Sequence, residues 1–140
     1  MGVEASFGSP PPTVKEVAAV NLTAQQADIP STPIFTPTNG GMFRVSGYLA
    51  LTRAATTSAT LPALAVTWTD NDTNVAQSQQ NLAPSIASNL VGRVAWSNPP
   101  TNSLVLNVKA GTAINFLTSG YASSGATTMQ FAVHVRVEQI

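Results

Sequence analysis

The chain has 140 residues, of which 44% are hydrophobic and only 9% are charged, so its 17 Thr and 13 Ser must supply much of the polar surface. Six basic and six acidic residues leave no net charge, which argues against a nucleic-acid partner because phosphate binding needs a clustered surplus of Lys and Arg. The absence of cysteine excludes disulfides, thiolate catalysis and cysteine-ligated zinc.

The first 13 residues form a proline-rich segment. Pro10, Pro11 and Pro12 cannot donate hydrogen bonds to a β-ladder and favour polyproline II. The sequence therefore predicts an extended N-terminal arm over residues 1–13, in which Phe7 and the three prolines are candidate partner-binding residues. Residues 14–140 are expected to form one β domain, since their length suits a single core.

From Val14 onward, apolar and polar residues tend to alternate with a period of two, which indicates β-strands. The clearest strand of the first half, residues 42–53, follows the turn signal Asn39-Gly40-Gly41. The cleanest alternation of all covers residues 129–138. In these two strands the side chains opposite the apolar rows are candidate subunit-interface residues, namely Arg44, Tyr48, His134 and Arg136.

The remaining segments show the same alternation of apolar and polar residues, interrupted by prolines and by loops. The prolines between residues 30 and 37 restrict that segment to an edge or irregular strand. We expect loops at residues 54–60 and 121–126, and residues 82–98 are compatible with a short helix or with a loop followed by a strand. Further strands are expected around residues 20–22, 64–68, 104–108 and 114–116.

These patterns predict an all-β protein of about eight strands, arranged as an antiparallel β-sandwich. A jelly roll is the leading interpretation. Ten prolines, nine glycines and many Thr and Val residues disfavour helical alternatives. No apolar run approaches about 18 residues, so no membrane partner is expected.

Few residues have a pattern typical of catalysis or metal binding. His134 is the only histidine, so one chain cannot build a multi-histidine site, although three copies around an axis could bring three histidines together. Asp70, Asp72 and Asn74 have the spacing of a calcium loop, but Val75 replaces the required glycine and Asn81 the required glutamate. We therefore expect a turn there, no cofactor, no metal and no enzymatic activity.

Aromatic residues are the other candidates for ligand binding. Trp68 falls in an apolar row and is expected in the core, whereas Tyr48 is expected to be exposed or at an interface. Tyr48, Trp96 and Tyr121 could instead stack on a sugar.

Three stretches share a Thr- and Ala-rich, cysteine-free character with alternating strands. They are N-L-T-A-Q-Q-A-D-I-P-S-T-P-I-F-T-P from Asn21, G-G-M-F-R-V-S-G-Y-L-A-L-T from Gly40, and L-A-V-T-W-T-D-N-D-T from Leu64. Together they resemble small structural proteins and fibre-type domains of tailed bacteriophages. The resemblance implies a virion component, commonly trimeric, that decorates the capsid or forms part of a tail fibre. It implies no catalytic residues.

The leading hypothesis is a capsid decoration, or cement, protein that is made in the host cytoplasm and lies on the capsid exterior. Its partners would be further copies of itself and the major capsid protein or another virion protein. Low charge and many small apolar residues favour such association. One alternative is a tail-fibre or receptor-binding tip that recognises host glycan, and another is a jelly-roll carbohydrate-binding module or glycan enzyme.

Overall fold

The computed structural model describes residues 14–95 and 102–140. The predicted arm, with Phe7, Pro10, Pro11 and Pro12, lies outside the described residues, as does Trp96. All regular elements of the described part are β-strands, which confirms the all-β prediction. The strands are β1 Lys15–Gln25, β2 Thr32–Phe35, β3 Gly41–Arg53, β4 Ser58–Leu61, β5 Ala63–Thr67, β6 Gln80–Ala83, β7 Ile86–Ala87, β8 Ser103–Val108, β9 Ile114–Ser119, β10 Ala122–Ser124 and β11 Gln130–Gln139.

Two four-stranded antiparallel sheets form the body of the molecule. One has the order β1-β11-β3-β8 and the other β2-β9-β5-β6. Among these eight strands the pairing is nested: the first pairs with the last, the second with the next to last, and so inward to the β5–β6 pair. Each sheet therefore combines strands that are distant in the sequence, and its register depends on long-range contacts.

A third, smaller sheet of order β10-β4-β7 adds three short strands. The described residues thus form eleven strands rather than about eight. The predicted loop at residues 54–60 is wrong at its end, because β4 begins at Ser58, and the predicted turn at residues 121–126 contains β10. These strands are rich in Ser, Thr and Ala, so they lack the apolar alternation from which a strand can be predicted.

The two large sheets share one hydrophobic core, which gives the described residues a sandwich-like architecture. Leu49 and Phe131 from one sheet and Leu64 and Phe116 from the other are fully buried in a single cluster. Burial of each such side chain contributes about 1.5–3 kcal/mol. Trp68, predicted in the core, is partly buried and packs against this cluster.

The ambiguous segment at residues 82–98 begins with the end of β6 and with β7, and its described end, residues 93–95, lies beside the second half of β3. Leu51 N–H donates to Arg93 O at 2.9 Å, and Ala95 N–H donates to Leu49 O at 3.0 Å. Past the undescribed residues, Gly47 N–H donates to Asn102 O at 3.1 Å, just before β8 begins. The described part of this segment thus contains no helix, and its end pairs with β3 through the isolated bridge between Ala50 and Val94 rather than as a further strand.

Candidate functional site

The solvent side of the β1-β11-β3-β8 sheet, here called the outer face, carries all four predicted interface residues. Arg44 and Tyr48 lie on β3, and His134 and Arg136 lie on β11. In each strand the alternate residues point into the core, as the two-residue period of a strand requires. Because β3 and β11 are neighbours, with His134 opposite Tyr48, the structure brings the four side chains together on one surface.

An aromatic pair lies at the centre of the outer face. The Tyr48 and His134 ring centroids are 5.1 Å apart with an interplanar angle of 37°, a separation typical of interacting rings. On the other side of His134, its Nδ1 lies 2.6 Å from Asn21 Oδ1 of β1. With 38% of Tyr48 exposed, the pair presents a polar-edged aromatic surface to solvent.

Alternating charges extend along the same face. Glu138 forms ion pairs with Arg44 Nη1 at 3.6 Å and with Arg136 Nη2 at 3.2 Å. Arg136 also forms an ion pair with Glu16, since its Nε lies 3.2 Å from Glu16 Oε1. Exposed pairs of this kind contribute about 0–1 kcal/mol each. Their main consequence is that two arginines and two glutamates cancel, so that the face has little net charge to offer a partner.

Between β1, β11 and β3 the outer face contains an open hollow of about 470 Å³. Its lining includes Asn21, Tyr48, His134 and Arg136. The hollow combines aromatic and aliphatic surface with neutral and charged hydrogen-bonding groups, which suits the binding of a polar, uncharged ligand or of another protein surface.

Both carboxylates of the outer face, Glu16 and Glu138, form ion pairs with arginine. Residues 14–95 and 102–140 contain no group of three or more His, Cys, Asp or Glu side chains that could hold a metal ion. A helix able to span a membrane is likewise not found in this described part of the chain.

Two other predicted features have internal roles. Tyr121 packs on Phe131, with ring centroids 5.8 Å apart, and its hydroxyl donates to Met129 O at 2.6 Å.

The segment with the spacing of a calcium loop is the expected turn. Asp70 Oδ2 accepts from the backbone N–H groups of Asp72 and Thr73 at 3.0 and 2.9 Å. The Thr73 backbone N–H is the main reason that the pKa of Asp70 lies below its usual value, with further contributions from Thr73 Oγ1 and Asp72 N–H.

Sequence reasoning missed the residues that complete this surface: Glu16, Asn21, Ser46 and Glu138. Asn21 and Glu16 lie on β1, at the opposite end of the chain from β11. Their polar positions in an alternating strand were a signal of exposure. Only the β1–β11 pairing, however, shows which other side chains they meet.

The comparisons with known proteins give no independent lead, since no family model and no curated protein matches the chain.

Proposed function

We propose that the chain is a non-enzymatic bacteriophage virion structural protein, namely a capsid decoration protein. In this proposal it self-associates as a trimer and binds the major capsid protein, which stabilises the shell. The observation that carries the proposal is the nested pairing of the eight strands in the two large sheets, together with the phage resemblance of the sequence.

Nested antiparallel pairing, divided between two facing four-stranded sheets, is the plan of a jelly roll. Folding one long antiparallel hairpin over itself produces it, since the first and last strands then lie together in one sheet and the second and next-to-last in the other. We accordingly interpret the sandwich as a jelly roll with a small additional sheet. Viral capsid domains and lectins both use this architecture, which favours a virion role or glycan binding over other functions.

The outer face supports an assembly role through its composition. Its two arginines and two glutamates cancel in a series of ion pairs that begins at Arg44 and ends at Glu16. Two such surfaces can therefore approach without strong repulsion. Tyr48 and the Arg residues are of the types enriched in the centres of protein interfaces. In the proposed trimer this face, with Arg44, Tyr48, His134 and Arg136, meets neighbouring copies, and the arm with Phe7, Pro10, Pro11 and Pro12 reaches the shell.

The proposal predicts separable roles for the arm and for the outer face. Deleting residues 1–13 should abolish co-sedimentation with empty shells and leave the trimer mass unchanged in analytical ultracentrifugation. Tyr48→Ser should weaken the trimer, while Thr52→Ser, at an exposed position further along β3, is its control.

Immunogold electron microscopy of phage particles provides the positional test, since labelling of tails instead of shells would contradict the decoration role.

A second candidate function, a tail-fibre tip that binds host glycan, is favoured by one observation. The exposed Tyr48 ring lies against His134 beside a hollow that also contains Asn21 and Arg136. Sugars bind through stacking on aromatic faces and hydrogen bonds to such polar groups. Tyr121 is used internally, which leaves Tyr48 as the described aromatic best placed for this role.

The two functions differ in what Tyr48→Ala would change. For a glycan-binding tip, this variant should reduce binding to whole host cells and purified surface polysaccharide by about tenfold or more, because one stacking contact contributes on the order of 1–3 kcal/mol. Binding to empty shells would then be undetectable for both the variant and the unmodified chain. Shell binding without polysaccharide binding would instead favour the decoration protein.

A further inference from the structure

The outer edge of β1 is the longest strand edge without a backbone partner among the described residues. β1 has eleven residues and pairs only on its β11 side. From Ala18 to Leu22 its register with β11 is regular, and irregularities occur only on either side of that stretch. No proline or charged residue interrupts the regular part. Within this regular stretch the edge therefore lacks the prolines and charges that often protect a strand edge.

Backbone bonds elsewhere in the sheet identify the residues that face outward. Gly47 N–H donates to Asn102 O and Leu51 N–H donates to Arg93 O, both on the β8 side of β3. Tyr48 and the other even-numbered residues of β3 therefore bond toward β11. Across that ladder, His134 is opposite Tyr48, and Val135 therefore bonds toward Val20 of β1.

On β1 the alternate residues then direct their N–H and C=O groups away from the sheet. They are Ala19 and Asn21 in the regular stretch, followed by Thr23 at the start of the irregular one. The Thr23 carbonyl accepts a hydrogen bond from the Gln25 side chain at 2.9 Å, which agrees with this outward direction.

The other sheet edges are short or covered. The free side of β8 is occupied by the turn at residues 69–71: Asn71 N–H donates to Asn107 O, and Lys109 N–H donates to Thr69 O, both at 3.0 Å. β2 has four residues and contains Pro33, and β6 also has four residues. In the small sheet, the edge strands β7 and β10 have two and three residues. The contrast singles out β1 as a docking edge.

The edge is complementary to a second copy of itself. In an antiparallel pair about a two-fold axis through Asn21, the two Asn21 residues exchange backbone bonds and Ala19 of one copy lies opposite Thr23 of the other. The Thr23 carbonyl would exchange its exposed bond from the Gln25 side chain for one from the Ala19 N–H. Val20 and Leu22, which are only partly buried at this edge, would pack across the seam. The charges of β1, Lys15 and Glu16, lie at one end of the strand, so the two-fold arrangement keeps like charges apart.

We propose that two copies of the chain associate through their β1 edges, pairing antiparallel at Asn21 and joining two four-stranded sheets into one. The proposal stands independently of the proposed function. A strand pair of this length buries less area than the roughly 800 Å² per partner of a standard interface. The contact is therefore weak in dilute solution and becomes populated where copies are concentrated.

Cross-linking tests the register, and the absence of cysteine gives a clean background. Asn21→Cys places two thiols opposite each other at the two-fold axis, where paired Cα atoms are about 5.5 Å apart. Thr23→Cys is the matched control, because its two thiols lie four residues apart along the seam. In the full chain at high concentration, a short bifunctional thiol reagent should cross-link the Asn21→Cys variant into dimers at least fivefold faster than the Thr23→Cys variant.

Proline substitution tests the backbone bonds. In the Asn21→Cys background, Ala19→Pro removes an outward N–H that makes no bond to β11, so the fold should persist, as cooperative urea unfolding would verify, while cross-linking falls at least fivefold. Ala19→Val keeps the N–H and should cross-link normally. Thr23→Pro provides a second such variant should Ala19→Pro fail to fold. Equal cross-linking of the two cysteine variants, or undiminished cross-linking in a folded proline variant, would overturn the proposal.

Discussion

A Cβ atom at Gly47 would lie 2.6 Å from the backbone carbonyl oxygen of His134, closer than real carbon and oxygen atoms approach. Gly47 occupies the inner row of β3 opposite Val135, where the same Cβ would also meet the Leu64 side chain at 3.2 Å. The strand under the candidate site thus requires glycine because two strands and the opposite sheet leave no space there.

Gly47→Ala should therefore destabilise the protein by about 1–3 kcal/mol, the usual cost of overpacking a core. Urea unfolding measures this as a lower midpoint at an unchanged slope. Ser46→Ala, at the next residue and on the outer face, is the control and should change stability by less than about 0.5 kcal/mol. A neutral Gly47→Ala would show that β3 and β11 can separate locally.

The Asn102 side chain joins β3 to the segment that ends at Ala95. It is 5% exposed, and its Nδ2 donates to Gly47 O at 3.1 Å and to Ala95 O at 3.0 Å. Asn102→Asp keeps the shape but directs a carboxylate at two carbonyl oxygens, which should cost about 3 kcal/mol at neutral pH.

The cost of Asn102→Asp should depend on pH. Burial and the facing carbonyls should raise the folded-state pKa of the new carboxyl, so the variant approaches the parent in stability at acidic pH and loses stability as the pH rises through that pKa. Urea unfolding of both proteins across this range checks the sign. Asn81→Asp, at an exposed position, should show no such loss, and a pH-independent difference at position 102 would contradict the explanation.

Tyr121 stabilises the region of the small sheet through two separable contacts. Tyr121→Phe removes the 2.6 Å hydrogen bond to Met129 O but keeps the packing on Phe131, so we expect a loss of about 1 kcal/mol in the free energy of unfolding. Tyr121→Ala also removes the ring and should cost about 3 kcal/mol or more. Equal losses in chemical denaturation would mean that the ring contact contributes nothing.

The turn at Asp70 should be detectable by its titration. Because the backbone N–H of Thr73 is the main cause of the lowered pKa, Thr73→Val, which keeps that N–H and removes the hydroxyl, should raise the pKa only slightly. Carboxyl-carbon NMR titration measures both values. Since the folded pKa is depressed, the associated stability is present above the unfolded pKa and is lost as the pH falls through the folded one. An ordinary pKa in the parent protein would contradict the turn geometry.

The sequence determined the strands whose alternation is strong, and with them the all-β class. The rows of β3 and β11 could be read because each strand has one buried face, and that alternation also placed Arg44, Tyr48, His134 and Arg136 opposite the core rows. Short strands such as β4 and β10 could not be read, because Ser, Thr and Ala serve equally well in loops and strands.

Only the tertiary structure decided which strands are neighbours. The contact between Asn21 and His134 joins residues 113 positions apart, and nothing in either local sequence encodes the other. The same holds for Asn102 and for the edge of β1 that no other described strand covers. Alternation records which face of a strand is buried, whereas the packing of the whole chain determines which strand lies beside it, and both the candidate site and the free edge depend on that choice.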